Sequence, residues 1–388
     1  MSSLVEFMEC ENTVVKSKKI RIYPTSEQSL LLRQWIGTAR FVYNSTVKYL
    51  EDGNYEDFYS CRKVVCHNLP DWADSIPWQV KAVSVRDACQ AKKATRKKNK
   101  GVHPSKWHRL GFRSRKSTKQ TIFLPSSAIK ERGIYPRLLG EMKYSEELPG
   151  NIQDSRLSYE NNQWFLIVPY QVQTTRSENQ ARVVALDPGI RSFQTFYNPE
   201  FVGHIGCGDI GRITRLCHHM DNLISKRDKS FGNQRYRINK AVKRMRTRIR
   251  NLIDELHHKT AKFLTDQFDL ILIPSFDVSQ MVKRGSRKLR SKSVRGMLNW
   301  AHYRFKCFLQ QKCVETGKLC LVVNEAYTSK TRSWDGVQMK IGGSKTISDG
   351  VVTVNRDING ARNIFIKSVS RLLETLGDSP FLSQTQVA

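Results

Sequence analysis

The sequence predicts a multidomain α+β chain: an N-terminal β-barrel with an inserted helical domain, followed by a C-terminal α/β domain. Three observations carry that prediction. Strand-like patterns at residues 14–25 and 112–175 flank a helical stretch, 26–111, which is the order left when a helical domain interrupts one barrel. From about 181 to 376, buried-type strands alternate with long helices, the mark of an α/β domain. A length of 388 residues favours two or more domains.

In chain order, "VVKSKKIRIYP" alternates and ends in Pro24, which predicts a strand from about Val14 to Tyr23. "TSEQSLLLRQWIGTARFVYNSTVKYLEDG" has a Thr or Ser cap, apolar residues at helical spacing and Gly53 at its end, the signals of a helix. A second helix, "WQVKAVSVRDACQAKKATRKKNK", runs into a basic cluster. Short strands and turns return between "FRSRKSTKQTIFLP" and "NNQWFLIVPYQVQ", and "TTRSENQ" reads as a linker. "ARVVALDPGIRSFQTFY" then reads as a buried strand, a turn at Asp187-Pro188-Gly189 and a second strand. Helices are predicted over about 209–230, 239–267 and 290–316, strands at "FDLILIPSF" and "LCLVVNE", and a last helix in "NRDINGARNIFIKSVSRLLETL"; the tail, 377–388, is polar.

Composition narrows the partner. There are 65 Lys and Arg against 35 Asp and Glu, a net charge of +30, and such self-repulsion suits a polyanion. The charge is clustered: residues 92–119 carry twelve Lys or Arg and no acid, 226–250 eleven against one Asp, and 283–295 seven against none. Each cluster is a candidate phosphate track, with Lys97, Lys98, Lys100, Arg113, Arg115 and Lys116 in the first, Arg235, Arg237, Lys243, Arg244 and Arg246 in the second, and Arg287, Lys288 and Arg290 in the third. "KKATRKKNK" has the composition of a nuclear localisation signal as well as of a phosphate-binding loop. No apolar run approaches the roughly 20 residues of a membrane span, and "MSSLVEFMECEN" is too acidic for a secretory signal. The expectation is an intracellular protein, nuclear in a eukaryotic host.

The nine cysteines are scattered and never form Cys-x-x-Cys, which argues against a disulfide framework and a zinc ribbon. His218-His219 and His257-His258 are adjacent pairs that point in different directions on a helix, poor geometry for a metal. Trp35, Tyr43 and Trp78 could stack on bases, although their helical spacing equally suits a core.

Three acids stand where strand ends and a helix start would bring them to one edge of a sheet: Asp187, Glu325 and Asp357. Converging carboxylates bind Mg²⁺ or Mn²⁺ with positions left open for phosphate oxygens, and two ions roughly 3.5–4 Å apart can serve phosphodiester hydrolysis. Each acid also has a plainer reading: a turn residue before Pro-Gly, a solvated strand end, and a helix-start charge favoured by the dipole.

The motifs themselves go further. "VVALDPGIRSF", "NEAYTSKTRSWDG" and "VNRDINGARNIF" resemble the three RuvC-type segments of the TnpB and Fanzor RNA-guided DNA endonucleases, transposon-encoded relatives of the type V CRISPR nucleases, and "GGSK" fits the Fanzor branch. "KKIRIYPTSEQSLLLRQWIGTARFVYN", "FRSRKSTKQTIFLP" and "LRSKSVRGMLNWAHYRF" extend the resemblance over most of the chain. It implies a wedge-type β-barrel at 14–25 and 112–175, an inserted helical recognition domain at 26–111, and a RuvC domain of RNase H-like fold at 181–376 with a zinc-ribbon insertion at about 328–354.

Two departures matter. Family members place the middle carboxylate after the strand that here reads "LILIPSFDV", with Pro274 at the matching place. Here Glu325 stands at the end of the neighbouring strand, as in Fanzor proteins, and Asp277 is the runner-up ligand. Of the ribbon's two Cys-x-x-Cys knuckles, Arg332 and Asp335 replace the first and "TISDGVV" the second, so no zinc is expected; Gly342 and Gly343 are the residues that would keep a hairpin there.

The resemblance therefore implies an RNA-guided, Mg²⁺- or Mn²⁺-dependent DNA endonuclease, with Asp187, Glu325 and Asp357 as catalytic metal ligands. Arg356 and Arg362 are candidates for phosphate contact, or for helix-face salt bridges. Its partners would be a guide RNA and double-stranded DNA bearing a short flanking motif, around a monomeric protein. The competing expectations are a catalytically inactive RNA-guided binder and a basic architectural protein.

Overall fold

The structure, a computed structural model, describes residues 13–54, 57–174, 182–285, 287, 289–339 and 344–377. The "TTRSENQ" linker after Thr174, Lys288, Gly342, Gly343 and the tail beyond Gly377 lie outside the described residues. The chain divides into two compact units, one ending at Val172 and the other beginning at Gln173.

The first unit opens with β1 (Thr13–Tyr23), whose alternation buries Ile20 and Ile22. α1 (Ser26–Glu51) starts at a capping box in which the Gln28 amide N–H donates to Thr25 Oγ1 at 3.2 Å and the Thr25 N–H to Gln28 Oε1 at 2.9 Å. α2 (Phe58–His67) and α3 (Trp78–Asn99) follow. Then come β2 (Lys119–Leu124), the short pair β3 (Ile129–Lys130) and β4 (Gly133–Ile134), α4 (Pro136–Leu139), β5 (Lys143–Tyr144), β6 (Ser155–Glu160) and β7 (Gln163–Gln173). Trp35 and Ile36 of α1 pack with Ile20, Ile22, Ile122, Leu157 and Leu166 of the sheet.

That sheet runs β2-β6-β7-β1-β5. Among the described strands no ladder joins β2 to β5, so the expected barrel is an open five-stranded sheet. Closure needs strands long enough to tilt and stagger around a ring, and β5 pairs only Lys143 and Tyr144 with the last two residues of β1.

The second unit contains β8 (Val183–Pro188), β9 (Gln194–Tyr197), β10 (Val202–Ile205), α5 (Asp209–Asp228), α6 (Gly232–Gln267), β11 (Leu270–Pro274), α7 (Val278–Met281), α8 (Ser291–Trp300), α9 (His302–Thr316), β12 (Leu319–Val323), β13 (Thr346–Ser348), β14 (Thr353–Asn355) and α10 (Arg356–Gly377). Its sheet order is β10-β9-β8-β11-β12: an antiparallel meander up to β8, then β8, β11 and β12 in parallel.

Alternation along β8 sets the two faces. Val184 and Leu186 join the core built with α5, α6, α8 and α9 around Phe193, Leu264, Phe268, Trp300 and Phe305. Ala185 turns to the other face and packs with Leu272 and Ile364 of α10. Asp187 has the parity of Ala185, so the strand delivers its carboxylate toward α10.

Three details differ from the sequence reading. α6 begins at Gly232 rather than 239, in a segment whose exposed, basic residues carry no apolar period. The helix expected over 290–316 is two, broken where Ala301 takes a left-handed φ of 51°. β10 was not expected: its four residues show little more than two alternations.

Candidate active site

Asp187 ends β8 at the side of the sheet where α10 begins. A Cβ on Gly360 would stand 2.5 Å from Asp187 Oδ2, so the carboxylate lies against helix backbone that only glycine leaves open. Asp357 is one turn earlier on the same helix, in a first turn where Asn355 Oδ1 accepts from the N–H groups of Asp357 (2.9 Å) and Ile358 (3.4 Å). Arg356 Nε lies 3.7 Å from Asp357 Oδ1.

Glu325 follows β12 by two residues. Its carbonyl accepts from the Thr328 N–H at 3.2 Å and Thr328 Oγ1 at 2.8 Å, which curls the chain into a turn. Two buried asparagines of α10 grip that turn. Asn363 Nδ2 donates to the carbonyls of Thr328 (2.8 Å) and Thr331 (2.6 Å), while Asn359 donates to Thr331 O at 2.8 Å and accepts from the Ser333 N–H at 2.9 Å. The helix carrying Asp357 thus fixes the segment carrying Glu325.

Asp277 has a different task. It caps α7, accepting from the Ser279 N–H at 3.0 Å and Ser279 Oγ at 2.6 Å, and the Ser279 hydroxyl holds its exposed carboxyl below the usual carboxylate range. Pro274 stands opposite Val323 in the β11–β12 register, two residues before Glu325, so Glu325 extends from the same sheet end that the neighbouring strand reaches.

Electrostatics link the three acids. Burial first, and then the negative charges of Asp357 and Glu325, push Asp187 up to about 8 against partial relief from Arg356. Burial also raises Glu325. Carboxylates that raise one another's cost of ionisation are hard oxygen donors of the kind that suit a divalent cation. As the side chains stand, no group of three or more His, Cys, Asp or Glu among the described residues is gathered to hold a metal ion; Asp357 and Glu325 each act on Asp187 without closing on a centre. Of the adjacent histidines, His257 is taken up by the core: its Nε2 lies 2.9 Å from Trp300 O and its ring stacks on Phe193.

The expected ribbon region is a hairpin, β13 pairing with β14 around Ile347↔Val354. The residues at the knuckle positions bind each other. Arg332 Nη2 is 2.7 Å from Asp335 Oδ2, Arg332 Nη1 is 4.0 Å from Asp349 Oδ2, and Trp334 Nε1 donates to Asp349 Oδ2 at 2.6 Å. The N–H groups of Val352 and Val351, with Trp334, hold Asp349 down to about 2. A guanidinium and carboxylates in this pairing do not fit zinc, which takes thiolate and imidazole tetrahedra.

The basic residues divide by placement. Lys97, Lys98 and Lys100 are exposed at the end of α3, and Lys97 and Lys100 line a cleft of ≈ 1530 Å³ with Arg96, Trp107, His108 and Arg109. Arg115 and Lys116 are exposed. Arg113 is engaged internally: its Nη2 is 2.9 Å from Asp87 Oδ2 and its guanidinium lies 3.9 Å from the Tyr43 ring centre, so it buttresses the first unit's core instead of facing solvent as a free cation. On α6, Arg235, Arg237, Arg244 and Arg246 are exposed and Lys243 half-buried. Arg287 donates to Ser291 Oγ at 3.3 Å, and Arg290 is exposed before α8. Arg362 lies 6.0 Å from the Tyr197 ring. Trp35 and Tyr43 are buried, whereas Trp78 is exposed.

Comparison with known proteins agrees with the motifs. Residues 12–55 match the model described as "Helix-turn-helix domain" of the IS605 OrfB type, and 302–364 match "Cas12f1-like, TNB domain". The chain is 25% identical over 409 residues to "Putative transposase A625R" of Paramecium bursaria Chlorella virus 1, covering 93% of this chain and 90% of that protein. It is 25% identical over 386 residues to "TnpB-like protein L79" of Acanthamoeba polyphaga mimivirus, covering 90% and 72%. To "Putative RNA-guided DNA endonuclease InsQ" of Escherichia coli it is 23% identical over 381 residues, covering 89% and 90%.

Proposed function

We propose that this TnpB-like chain is an RNA-guided, divalent-metal-dependent DNA endonuclease, its second unit a RuvC-type nuclease domain. The observation that carries the reading is that Asp187, Glu325 and Asp357 are linked electrostatically through Asp187. They come from two strand ends and a helix start far apart in sequence, yet the latter two raise Asp187. These acids would hold Mg²⁺ or Mn²⁺, which supplies Lewis-acid chemistry for phosphodiester hydrolysis.

The chain's own contribution is placement. β8 and Gly360 set Asp187, the Asn355 cap sets the helix turn of Asp357, and Asn359 and Asn363 set the Glu325 turn. Arg356, beside Asp357, offers a cation for a phosphate oxygen. The exposed cations of α3 and α6 would follow the backbones of a guide RNA and its DNA target, base pairing would read the sequence, and a short flanking duplex motif would be read by the protein. We place the protein in a ribonucleoprotein with one copy of the chain. No helix among the described residues is long and apolar enough to cross a membrane.

A catalytically inactive guide-loaded binder is the second reading, favoured by one observation: the three acids are not drawn together at ligating distance. Sequencing the RNA that copurifies with the protein, then assaying the complex on DNA matching that RNA with Mg²⁺ or Mn²⁺, separates the readings. Cleavage supports the nuclease, binding without cleavage supports the inactive form, and purification free of RNA with no nucleic-acid affinity at low salt contradicts both.

A further inference from the structure

A cavity of ≈ 470 Å³ opens beside the Glu325 turn, between residues 326–338 and α10. Tyr327, Arg332, Trp334, Gln338, Ile366 and Lys367 are among the residues that line it, and its volume falls within the roughly 300–1,000 Å³ of small-molecule sites. We propose that it receives one unstacked nucleobase of the DNA strand that passes the three acids, next to the phosphate to be cut.

Tyr327 carries the argument. It takes a left-handed φ of 70°, a conformation that a bulky side chain adopts only at a cost and that glycine adopts freely. The backbone is pinned there by the Lys330 N–H and Thr331 Oγ1, which donate to Tyr327 O at 3.0 and 2.9 Å. Yet Tyr327 is 65% exposed, so burial does not repay the strain. Strained residues of this kind concentrate at functional sites. A large aromatic ring held in solvent at a position made for glycine is suited to stacking on something that arrives.

The surroundings define that ligand. Trp334 adds a second aromatic surface, its indole fixed by the bond to Asp349 and its ring 5.8 Å from the Arg332 guanidinium. Gln338 offers an amide for a base edge, and Lys367, whose Nζ donates to Ala326 O at 3.0 Å, places a positive charge at the rim. Aromatic faces with nearby cations are the platform on which single strands stack. In a duplex both faces of a base are covered by its neighbours, so only an unstacked base can enter. Tyr327 follows Glu325 by two residues, at most about 7 Å of chain, which puts the base within a nucleotide or two of the acids. The assignment rests on the nuclease reading for the identity of the strand.

The test compares the intact protein's affinity for an oligothymidylate strand of about a dozen nucleotides with that for an abasic strand of equal length, so that phosphate binding cancels. Stacking on one ring predicts that Tyr327→Gly weakens the base-bearing strand about tenfold and leaves the abasic strand unchanged. Tyr327→Phe should bind as wild type does. The melting temperature of Tyr327→Gly should be equal or higher, because glycine relieves the backbone; a lost ring with a preserved fold separates ligand binding from structure. Strands carrying 5-iodouracil should photo-crosslink to Tyr327 or Trp334, in wild type and in Asp187→Ala alike. Because the crosslink needs no cleavage, a protein that crosslinks there but never cuts refutes the nuclease reading and leaves the base site standing. Equal affinities of wild type and Tyr327→Gly for oligothymidylate, or crosslinks confined to other segments, overturn the proposal. A preference for oligouridylate with crosslinks at Tyr327 overturns the assignment of the strand as DNA.

Discussion

Gly360 faces Asp187 so closely that a methyl group in place of its hydrogen would stand 2.5 Å from Asp187 Oδ2. Helix α10 and strand β8 are therefore spaced by a carboxylate, and glycine in a helix, otherwise a cost of about 1 kcal/mol against Ala, is the residue that admits it.

Gly360→Ala should thus displace Asp187 despite improving helix propensity. Overpacking of this kind costs about 1–3 kcal/mol. The expected result is a drop in cleavage of at least tenfold and weaker Mn²⁺ binding by calorimetry, with guide RNA affinity unchanged.

The pH dependence of the metal-free protein follows from Asp187. Its pKa is raised from 3.8 to about 8, so the protonated acid is the form the fold prefers. The stability this contributes is present in full below 3.8 and is lost as pH rises through about 8. Melting temperature measured without metal should fall progressively between about pH 4 and 8 for wild type, level off above that, and lack this component in Asp187→Asn. Metal binding must displace the proton, so Mn²⁺ affinity should rise with pH over the same window.

Asn363→Ala removes the side-chain donor to the buried Thr328 carbonyl and one of the two donors to the Thr331 carbonyl, which keeps Asn359. An unsatisfied buried acceptor costs about 1–3 kcal/mol, and the tie between α10 and the turn bearing Glu325 is loosened. The variant should show lower thermal stability and metal affinity weakened more than that of an equally destabilised core variant in the first unit, read by calorimetry.

The Arg332, Asp335, Trp334 and Asp349 contacts predict a hairpin that needs no zinc. Treating the protein with a strong zinc chelator should leave amide exchange across residues 344–355 unchanged, whereas Arg332→Ala should speed it. A stoichiometric zinc content by elemental analysis would contradict the arrangement.

How much of this the sequence carries depends on range. Asp187, Glu325 and Asp357 stand out because they end strands or begin a helix, local features of the pattern. Gly360, Asn359, Asn363 and Tyr327 do not: a glycine against a carboxylate, or an amide on a carbonyl some thirty residues away, exists only once the chain is folded. The RDINGARN motif did contain Asn359, Gly360 and Asn363, but nothing in it says what they touch. Arg113 reads as a phosphate-binding residue in a basic run, and only the fold shows Asp87 and Tyr43 beside it. The barrel failed for a similar reason, since closure depends on the length of β5, two residues that carry no sequence signal.

In the proposed site Glu325, rather than Asp277, supplies the middle carboxylate. Guide-loaded Glu325→Ala and Asp277→Ala should be compared with Asp187→Ala and Asp357→Ala for Mg²⁺-dependent cleavage of matched DNA. Glu325→Ala should abolish cleavage as the other two site variants do while keeping guide binding, and Asp277→Ala, which loses only the α7 cap, should cut within a few-fold of wild type. Normal cleavage by Glu325→Ala together with its loss in Asp277→Ala would contradict that assignment.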